Sequence, residues 1–311
     1  MGKSAFVALA GRPSVGKSTL VNLLCSQKVA IVSAVPQTTR NAIRGILTSP
    51  KGQLVFVDTP GRHVSEKKFN KKLMEVADRA LDDSELVLYV LDASRSPGPE
   101  EEAVAARLRS FGDKTVAAIN KTDAKGADPE KILSFLDDYL PELGPSRRFQ
   151  ISCHKKEGID PLLDCLFEMA PEGELHYPEE YYTDQEVSFR ISEIIRGKAM
   201  DRLREELPHS IYVEVADLEF REVPFVAPDA RSKEGVSGKK RLWVRAFIVT
   251  ERESQKGIIV GKGGEMIKAI GQAARKELNS IFDWKVDLDL RVKTGRDWRH
   301  NDKILRKLTD R

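Results

Sequence analysis

Cysteine is scarce in this chain of 311 residues: Cys25, Cys153 and Cys165 are few, odd in number and far apart. That pattern excludes a disulfide framework and a cysteine zinc site, and it leads us to expect a reducing, cytoplasmic setting. Long apolar runs are missing too; nothing approaches the ~18 residues that a helical membrane span needs. The opening "MGKSAFVALAG" lacks the apolar core and small-residue cleavage site of a signal peptide. Phe6 stands where a myristoylation signal carries Ser or Thr. Internal repeats and low-complexity tracts are absent, which excludes solenoids and fibrous arrays. What remains is 41% hydrophobic and 32% charged, the composition of a soluble globular protein long enough for two domains.

A large net charge is also lacking, but the total of +3 conceals an asymmetry. Residues 1–180 hold 24 Lys and Arg against 26 Asp and Glu, a balance of −2. Residues 231–311 hold 21 against 11, a balance of +10. A basic C-terminal third invites a polyanion.

Short apolar runs at 5–11, 54–58, 86–92, 115–120 and 149–152 alternate with helical periods at 17–26, 67–81, 99–110, 129–139 and 158–169. That alternation predicts a mainly parallel sheet with helices on both faces. "PEGELHYPEEYYTDQ" (171–185) has no clean period and reads as a linker. Beyond it the order changes to helix (186–207), strand (211–220), strand (241–249), glycine loop, helix (264–281), strand (285–292) and a basic tail helix. The expected domains are 1–172, a linker over 173–185, and 186–311. Residues 221–240, rich in Pro, Gly and charge, read as a long loop between two strands.

"GRPSVGKS" (Gly11–Ser18) fits G-x-x-x-x-G-K-[ST] and lies between a predicted strand and a helix, the context this motif requires. In the loop opened by Gly11 and Arg12, backbone N–H groups over 13–19 (Ser14, Val15, Gly16 and Thr19 among them; Pro13 has none to give) and the helix N-terminus would cradle the phosphates. Lys17 would reach the β- and γ-phosphates and Ser18 would ligate Mg²⁺. "DTPG" (Asp58, Thr59, Pro60, Gly61) follows a buried strand, where Asp58 can hold Mg²⁺ through water and Gly61 can meet the γ-phosphate. "NKTD" supplies Asn120, Lys121 and Asp123. A carboxylate at Asp123 pairs with the N1–H and exocyclic amine of guanine, and adenine offers neither donor.

On these motifs residues 1–170 resemble the Ras-like, translation-factor class of GTPases. The resemblance implies a first switch at "PQTTR" (36–40), with Thr39 as Mg²⁺ ligand and Thr38 as the alternative. It implies that "ISC", through Ser152 and Cys153, meets the guanine O6, and that Lys17, Thr39 and Gly61 serve catalysis. Two departures matter. Arg62 stands where these proteins carry a water-orienting glutamine, and arginine cannot accept a hydrogen bond from water. Slow unaided turnover, stimulated by RNA or a ribosomal partner, is the expectation. Ser14 replaces an asparagine that in related members helps bind an activating K⁺, so a K⁺ requirement stays open.

A second glycine cluster, "GIIVGKGGEMIKAIG" (257–271), does not make a second P-loop. The required first glycine falls on Lys256, and Gly263 rather than Ser or Thr follows Lys262. Gly261-Lys262-Gly263-Gly264 instead fits the G-x-x-G clamp of KH domains, which grips about four single-stranded nucleotides. Ile258, Ile259, Val260 and Lys268 flank it as further RNA contacts. The fold expected is therefore α/β, a P-loop GTPase domain, followed by an α+β type II KH domain.

Together the halves resemble bacterial ribosome-assembly GTPases that append a KH domain. That resemblance implies GTP/GDP and Mg²⁺ as ligands, and the single-stranded 3′ end of small-subunit rRNA and the small ribosomal subunit as partners. It also implies nucleotide-gated RNA binding and peripheral membrane contact through basic surface; a monomer is the default expectation. The basic tail (Lys293, Arg296, Arg299, Lys303, Arg306, Lys307) would meet RNA backbone, while Trp298 is expected to pack rather than stack on a base.

Overall fold

The apolar runs at 54–58, 86–92 and 115–120 become inner strands with no polar outer face, because both of their faces are covered by helices. A computed structural model describes residues 2–33, 35, 38–61, 68–222 and 240–309. Its contacts divide the chain into two compact units, 1–184 with 299–311, and 185–298.

The first unit runs β1 (Gly2–Ala10), α1 (Lys17–Leu24), β2 (Ile43–Ser49), β3 (Gly52–Asp58), α2 (Lys68–Asp82), β4 (Leu86–Asp92), α3 (Pro99–Leu108), β5 (Thr115–Asn120), α4 (Pro129–Tyr139), β6 (Arg148–Gln150), α5 (Ile159–Met169) and β7 (Glu172–Gly173). The sheet order is β2-β3-β1-β4-β5-β6, with β7 also paired to β1. Strands β3, β1, β4, β5 and β6 run parallel, so the loops after β1, β3 and β5 open on one edge of the sheet. Every residue of β3, β4 and β5 is buried, and α3 and α4 pack Val104, Leu108, Ile132 and Leu136 against Tyr89, Leu91, Ala117 and Ile119.

Three features differ from the sequence expectation. First, β2 pairs antiparallel with β3 along Ile43↔Asp58 to Ser49↔Gly52, a hairpin that the apolar-run pattern passes over. Second, the segment expected as a linker is a strap on the first unit. Ile46 donates its N–H to Tyr182 O at 2.9 Å, so the strap takes the outer edge of β2. The buried Gln53 exchanges two hydrogen bonds with the Tyr177 backbone, and Arg44 pairs with Asp184 at 2.7 Å. Third, residues 299–311, expected to go with the KH-like part, cluster with the first unit. The helix there, α9 (Asp302–Thr309), buries Leu305 and packs on α2.

The second unit runs α6 (Val187–Met200), β8 (Ile211–Glu222), β9 (Lys240–Thr250), α7 (Glu253–Val260), α8 (Glu265–Ile281) and β10 (Lys285–Thr294). β8 and β9 are antiparallel, while β9 and β10 are parallel, joined by the crossover that contains α7, the glycine loop and α8. The inward residues Leu242, Val244, Ala246 and Ile248 of β9 meet Ile191, Ile195, Ile259, Ile270 and Leu278 from the helices. Helix α6 stops seven residues before the expected Leu207. The chain turns through Asp201–Leu207, with Glu205 at φ 56° and Leu203 anchored in the core. Trp298 is fully buried, donates Nε1–H to Ser210 O at 3.1 Å and meets Tyr212 edge-on, which is the packing role expected of it.

Candidate functional site

Between β1 and α1 the chain turns through Gly11 to Gly16, with Ser14 at φ 65° and Gly16 at φ 106°. A side chain on Gly16 would bring its Cβ within 2.4 Å of Asn120 Nδ2, so only glycine fits both the backbone and the neighbour. Lys17 is buried, and its Nζ donates to Gly11 O and Arg12 O, both at 2.9 Å. Burial pushes the Lys17 ammonium down to about 8, against the opposing fields of Asp58 and Glu101. An arriving phosphate would supply the missing negative charge. Gly61, at the end of "DTPG", lies against Pro13 across the cleft.

Three oxygens from distant parts of the chain converge beside Lys17. Ser18 Oγ donates to Asp58 Oδ2 at 2.6 Å, Thr39 Oγ1 donates to the same oxygen at 3.2 Å, and the two hydroxyls are 3.0 Å apart. Asp58 is fully buried, its Oδ1 has no hydrogen-bond partner, and burial raises its carboxyl above the ordinary range. Hard oxygen donors around an unsatisfied buried carboxylate fit Mg²⁺. Thr38 points elsewhere, donating to Val35 O at 2.7 Å, so Thr39 is the threonine that joins this group. Thr59 is tied back to Leu9 O at 2.6 Å. Arg62 and the rest of 62–67, like 34, 36–37 and 223–239 (expected from sequence as part of a long loop), lie outside the described residues.

The loops after β5 and β6 form the other wall. Asn120 donates Nδ2–H to Val15 O at 2.9 Å and accepts Cys153 N–H at 3.2 Å, so it knits the phosphate loop to the third loop. Lys121, at φ 63°, donates to Ser14 O at 2.8 Å and to Asp92 Oδ2 at 2.6 Å. Asp123 Oδ1 accepts from Ser152 Oγ at 2.6 Å, and this bond, foremost, holds the Asp123 carboxyl below its usual range. Burial pushes the Cys153 thiol up to about 11, which suits packing and not thiol chemistry. The cleft over the phosphate loop, which Lys121 borders from this wall, measures about 330 Å³, within the range of small-ligand pockets. Residues that the motifs did not single out also line it: Ile31, Val32, Ser33, Val35 and Arg95. Asp92 ends the apolar strand "LVLYVLD" and Arg95 follows it, the one signal that could have pointed to them.

In the second unit the loop Gly261–Gly264 carries three left-handed glycines, at φ 74°, 60° and 81° for Gly261, Gly263 and Gly264. At Gly261 a Cβ would also stand 2.8 Å from Met266 Cβ. Lys262 and Lys268 are exposed, and Ile258 presents an apolar side chain beside the loop, 55% exposed. The 17-residue helix α8 begins directly after the loop, so its N-terminal N–H groups face whatever the loop holds. Ile259, grouped with the RNA contacts from sequence, is fully buried in the core and offers no surface.

Comparisons with known proteins bear on both parts. Residues 6–121 match the family model of the 50S ribosome-binding GTPases, and residues 206–299 match that of the KH domain. The chain is 47% identical over 306 residues to the GTPase Era of Treponema denticola, covering 98% of this chain and 99% of that protein. The chain belongs to the Era GTPase family. Era of Borreliella burgdorferi is 44% identical over the same length. A single-residue variant of Aquifex aeolicus Era bound to GDP·AlF₄⁻ superposes with a TM-score of 0.87 at 31% identity, over 98% of both chains. So does Era in complex with MgGDPNP and nucleotides 1506–1542 of 16S ribosomal RNA, at 0.87 and 32% over 99% of both. As an Era-family member the chain is a GTPase with a P-loop GTPase domain and a C-terminal KH domain. Among the described residues no helix is long and apolar enough to cross a membrane.

Proposed function

We propose that this chain hydrolyses GTP in the cleft of its first unit and binds the single-stranded 3′ end of small-subunit rRNA with its second, as a factor in small-subunit maturation. The carrying observation is the convergence of Ser18, Thr39 and Asp58 oxygens at the phosphate loop, together with the Ser152-braced Asp123 on the loop that Asn120 and Lys121 tie to it. The complex of Era with MgGDPNP and a 16S rRNA segment supports the RNA part of the reading.

Asp123 accepts the two guanine N–H donors, the Ser152–Cys153 backbone meets O6, and Asn120 and Lys121 brace the base against the phosphate loop. The loop from Gly11 to Thr19 wraps the phosphates, and Lys17 leaves the Gly11 and Arg12 carbonyls for the β- and γ-phosphates. Ser18, Thr39 and Asp58 would hold Mg²⁺, which would supply positive charge against the phosphates. Gly61 N–H meets the γ-phosphate. No glutamine follows Gly61, so the attacking water has no side-chain acceptor there and unaided turnover stays far below ~1 s⁻¹. A serine hydroxyl at Ser14 is a shorter reach to a cation than an asparagine carbonyl, so turnover in KCl and NaCl differs little.

In the KH part, the Gly261–Gly264 backbone and the α8 N-terminus grip RNA phosphates, Lys262 and Lys268 add charge, and Ile258 and Val260 offer apolar surface to bases. GTP ordering of the switch residues 33–40 and 58–70 raises RNA affinity. The test is fluorescence anisotropy with a single-stranded oligonucleotide of the 16S rRNA 3′ end. Binding by the wild type that is lost in Lys262→Asp supports the RNA reading, and no binding by the wild type overturns it. Equal affinity with a GTP analogue and with GDP would sink the gating.

A further inference from the structure

One buried charge cluster beside the phosphate loop enters the chemistry above only through the field of Glu101 at Lys17. Glu101, in the first turn of α3, is fully buried, although Glu100 and Glu102 on either side of it are exposed. Its Oε2 is paired with the Arg12 Nε, and its Oε1 accepts the Tyr89 Oη hydrogen at 2.6 Å. Tyr89 is fully buried and the Arg12 side chain is 12% exposed. Desolvation raises the Glu101 carboxyl above its usual range in spite of both partners. Taking a carboxylate and a guanidinium out of water costs several kcal/mol per ion before pairing, so such a cluster is an expensive way to fill space.

Its place suggests what it does. Arg12 is the second residue of the phosphate loop. The backbone carbonyls of that loop are held by Lys17 at Gly11 and Arg12, by Lys121 at Ser14 and by Asn120 at Val15. Lys17 must abandon its carbonyls when phosphate arrives, and Asn120 and Lys121 belong to the base-binding wall. The Arg12–Glu101 pair is a tie that the nucleotide does not have to touch. With Ser14 at φ 65° and Gly16 at φ 106° the loop converges its N–H dipoles, an arrangement that only an anion or a tie from outside offsets. A loop competent for only a fraction of the time loses affinity by that fraction.

We propose that Glu101 is a positioning residue which, together with Tyr89, clamps the Arg12 side chain and keeps the empty phosphate loop in its nucleotide-binding geometry. The clamp acts on the empty state: once phosphates are bound, they order the loop themselves. It therefore governs affinity and leaves the chemical step alone. This inference rests on the reading of the cleft as the guanine-nucleotide site.

The test uses the full chain and a fluorescent GDP analogue, mant-GDP, alongside steady-state GTP hydrolysis. Glu101→Gln keeps the shape and an acceptor for Tyr89 but removes the ion pair. It is expected to raise Kd and KM by about tenfold while kcat stays within about twofold, the signature of lost preorganisation. Arg12→Met is expected to raise Kd by a similar factor, and the double variant by no more than either single one, because the two act as one unit. Tyr89→Phe, which removes one oxygen and keeps the ring, is expected to show a two- to threefold rise in Kd, about a third to a half of the main effect on a logarithmic scale. It serves if Glu101→Gln fails to fold. An unchanged Kd in Glu101→Gln, a kcat that falls in step with kcat/KM, or effects that multiply in the double variant would overturn the clamp. Failure of the wild type to bind mant-GDP would remove the nucleotide site itself and the clamp with it.

Discussion

Ser152 touches the guanine-reading carboxylate from behind, and its removal gives a sharply defined expectation. Ser152 Oγ donates to Asp123 Oδ1 at 2.6 Å and accepts Lys155 N–H at 3.0 Å, which fixes the hydroxyl in place. Ser152→Ala deletes a hydrogen bond to an ionised acceptor. Bonds to an ionised acceptor are stronger than neutral ones, but water screens the loss at the open Asp123 carboxylate, so GDP affinity should fall severalfold. The pH profile should move as well. The ionised carboxylate binds guanine, and the Ser152 bond depresses its pKa, so affinity survives as pH falls until that low pKa is reached. Without the bond the carboxyl returns toward its ordinary value, and the acid limb of GDP binding shifts to higher pH. Titration of mant-GDP fluorescence across the acid range measures both effects. Unchanged affinity with an unmoved acid limb would refute the bracing role. So would a loss that adds fully to that of Asp123→Ala, since both act through one carboxylate.

Ser18→Ala should weaken the Mg²⁺-dependent part of GDP binding by at least about tenfold, since even outer-shell partners of metal ligands are worth about 10–100-fold; GDP titrations with Mg²⁺ and with chelator measure it. Cys153, held near 11 by burial, should react with iodoacetamide at pH 8 roughly 100-fold more slowly than a thiol at the ordinary value of 9.0, read by mass spectrometry of the modified peptide. Trp298→Ala empties a fully buried indole site and strands the Ser210 carbonyl, so it should cost about 3–5 kcal/mol in guanidinium unfolding of the second unit. Lys262→Ala should reduce the slope of log RNA affinity against log salt by about one while leaving discrimination between sequences intact.

Local pattern carried much of this. The glycine and lysine spacing of 11–18 and 261–264, the strand that precedes the first of these and the 3.6-residue periods of α4, α5 and α8 are properties of short stretches. Backbone geometry at such stretches is settled by nearest neighbours, so they can be read directly. β2 escaped the pattern because its polar Arg44, Thr48 and Ser49 are tolerated at a sheet edge later covered by the strap. The strap itself, 172–184, has no period to read; its hydrogen bonds go to residues more than a hundred positions away. Ile258 and Ile259 are indistinguishable in sequence, yet one is 55% exposed and the other fully buried.

The amino-acid sequence by itself determined that a guanine-nucleotide loop set and a KH-type loop share one chain, because their signatures are short, ordered and chemically specific. Only the tertiary structure decided which hydroxyl joins Asp58, that Ser152 braces Asp123, and that the middle glutamate of a plainly acidic triplet turns inward to hold Arg12. Each of these is a meeting between residues tens of positions apart. Burial and hydrogen-bond pairing are properties of that meeting, and no single stretch contains them.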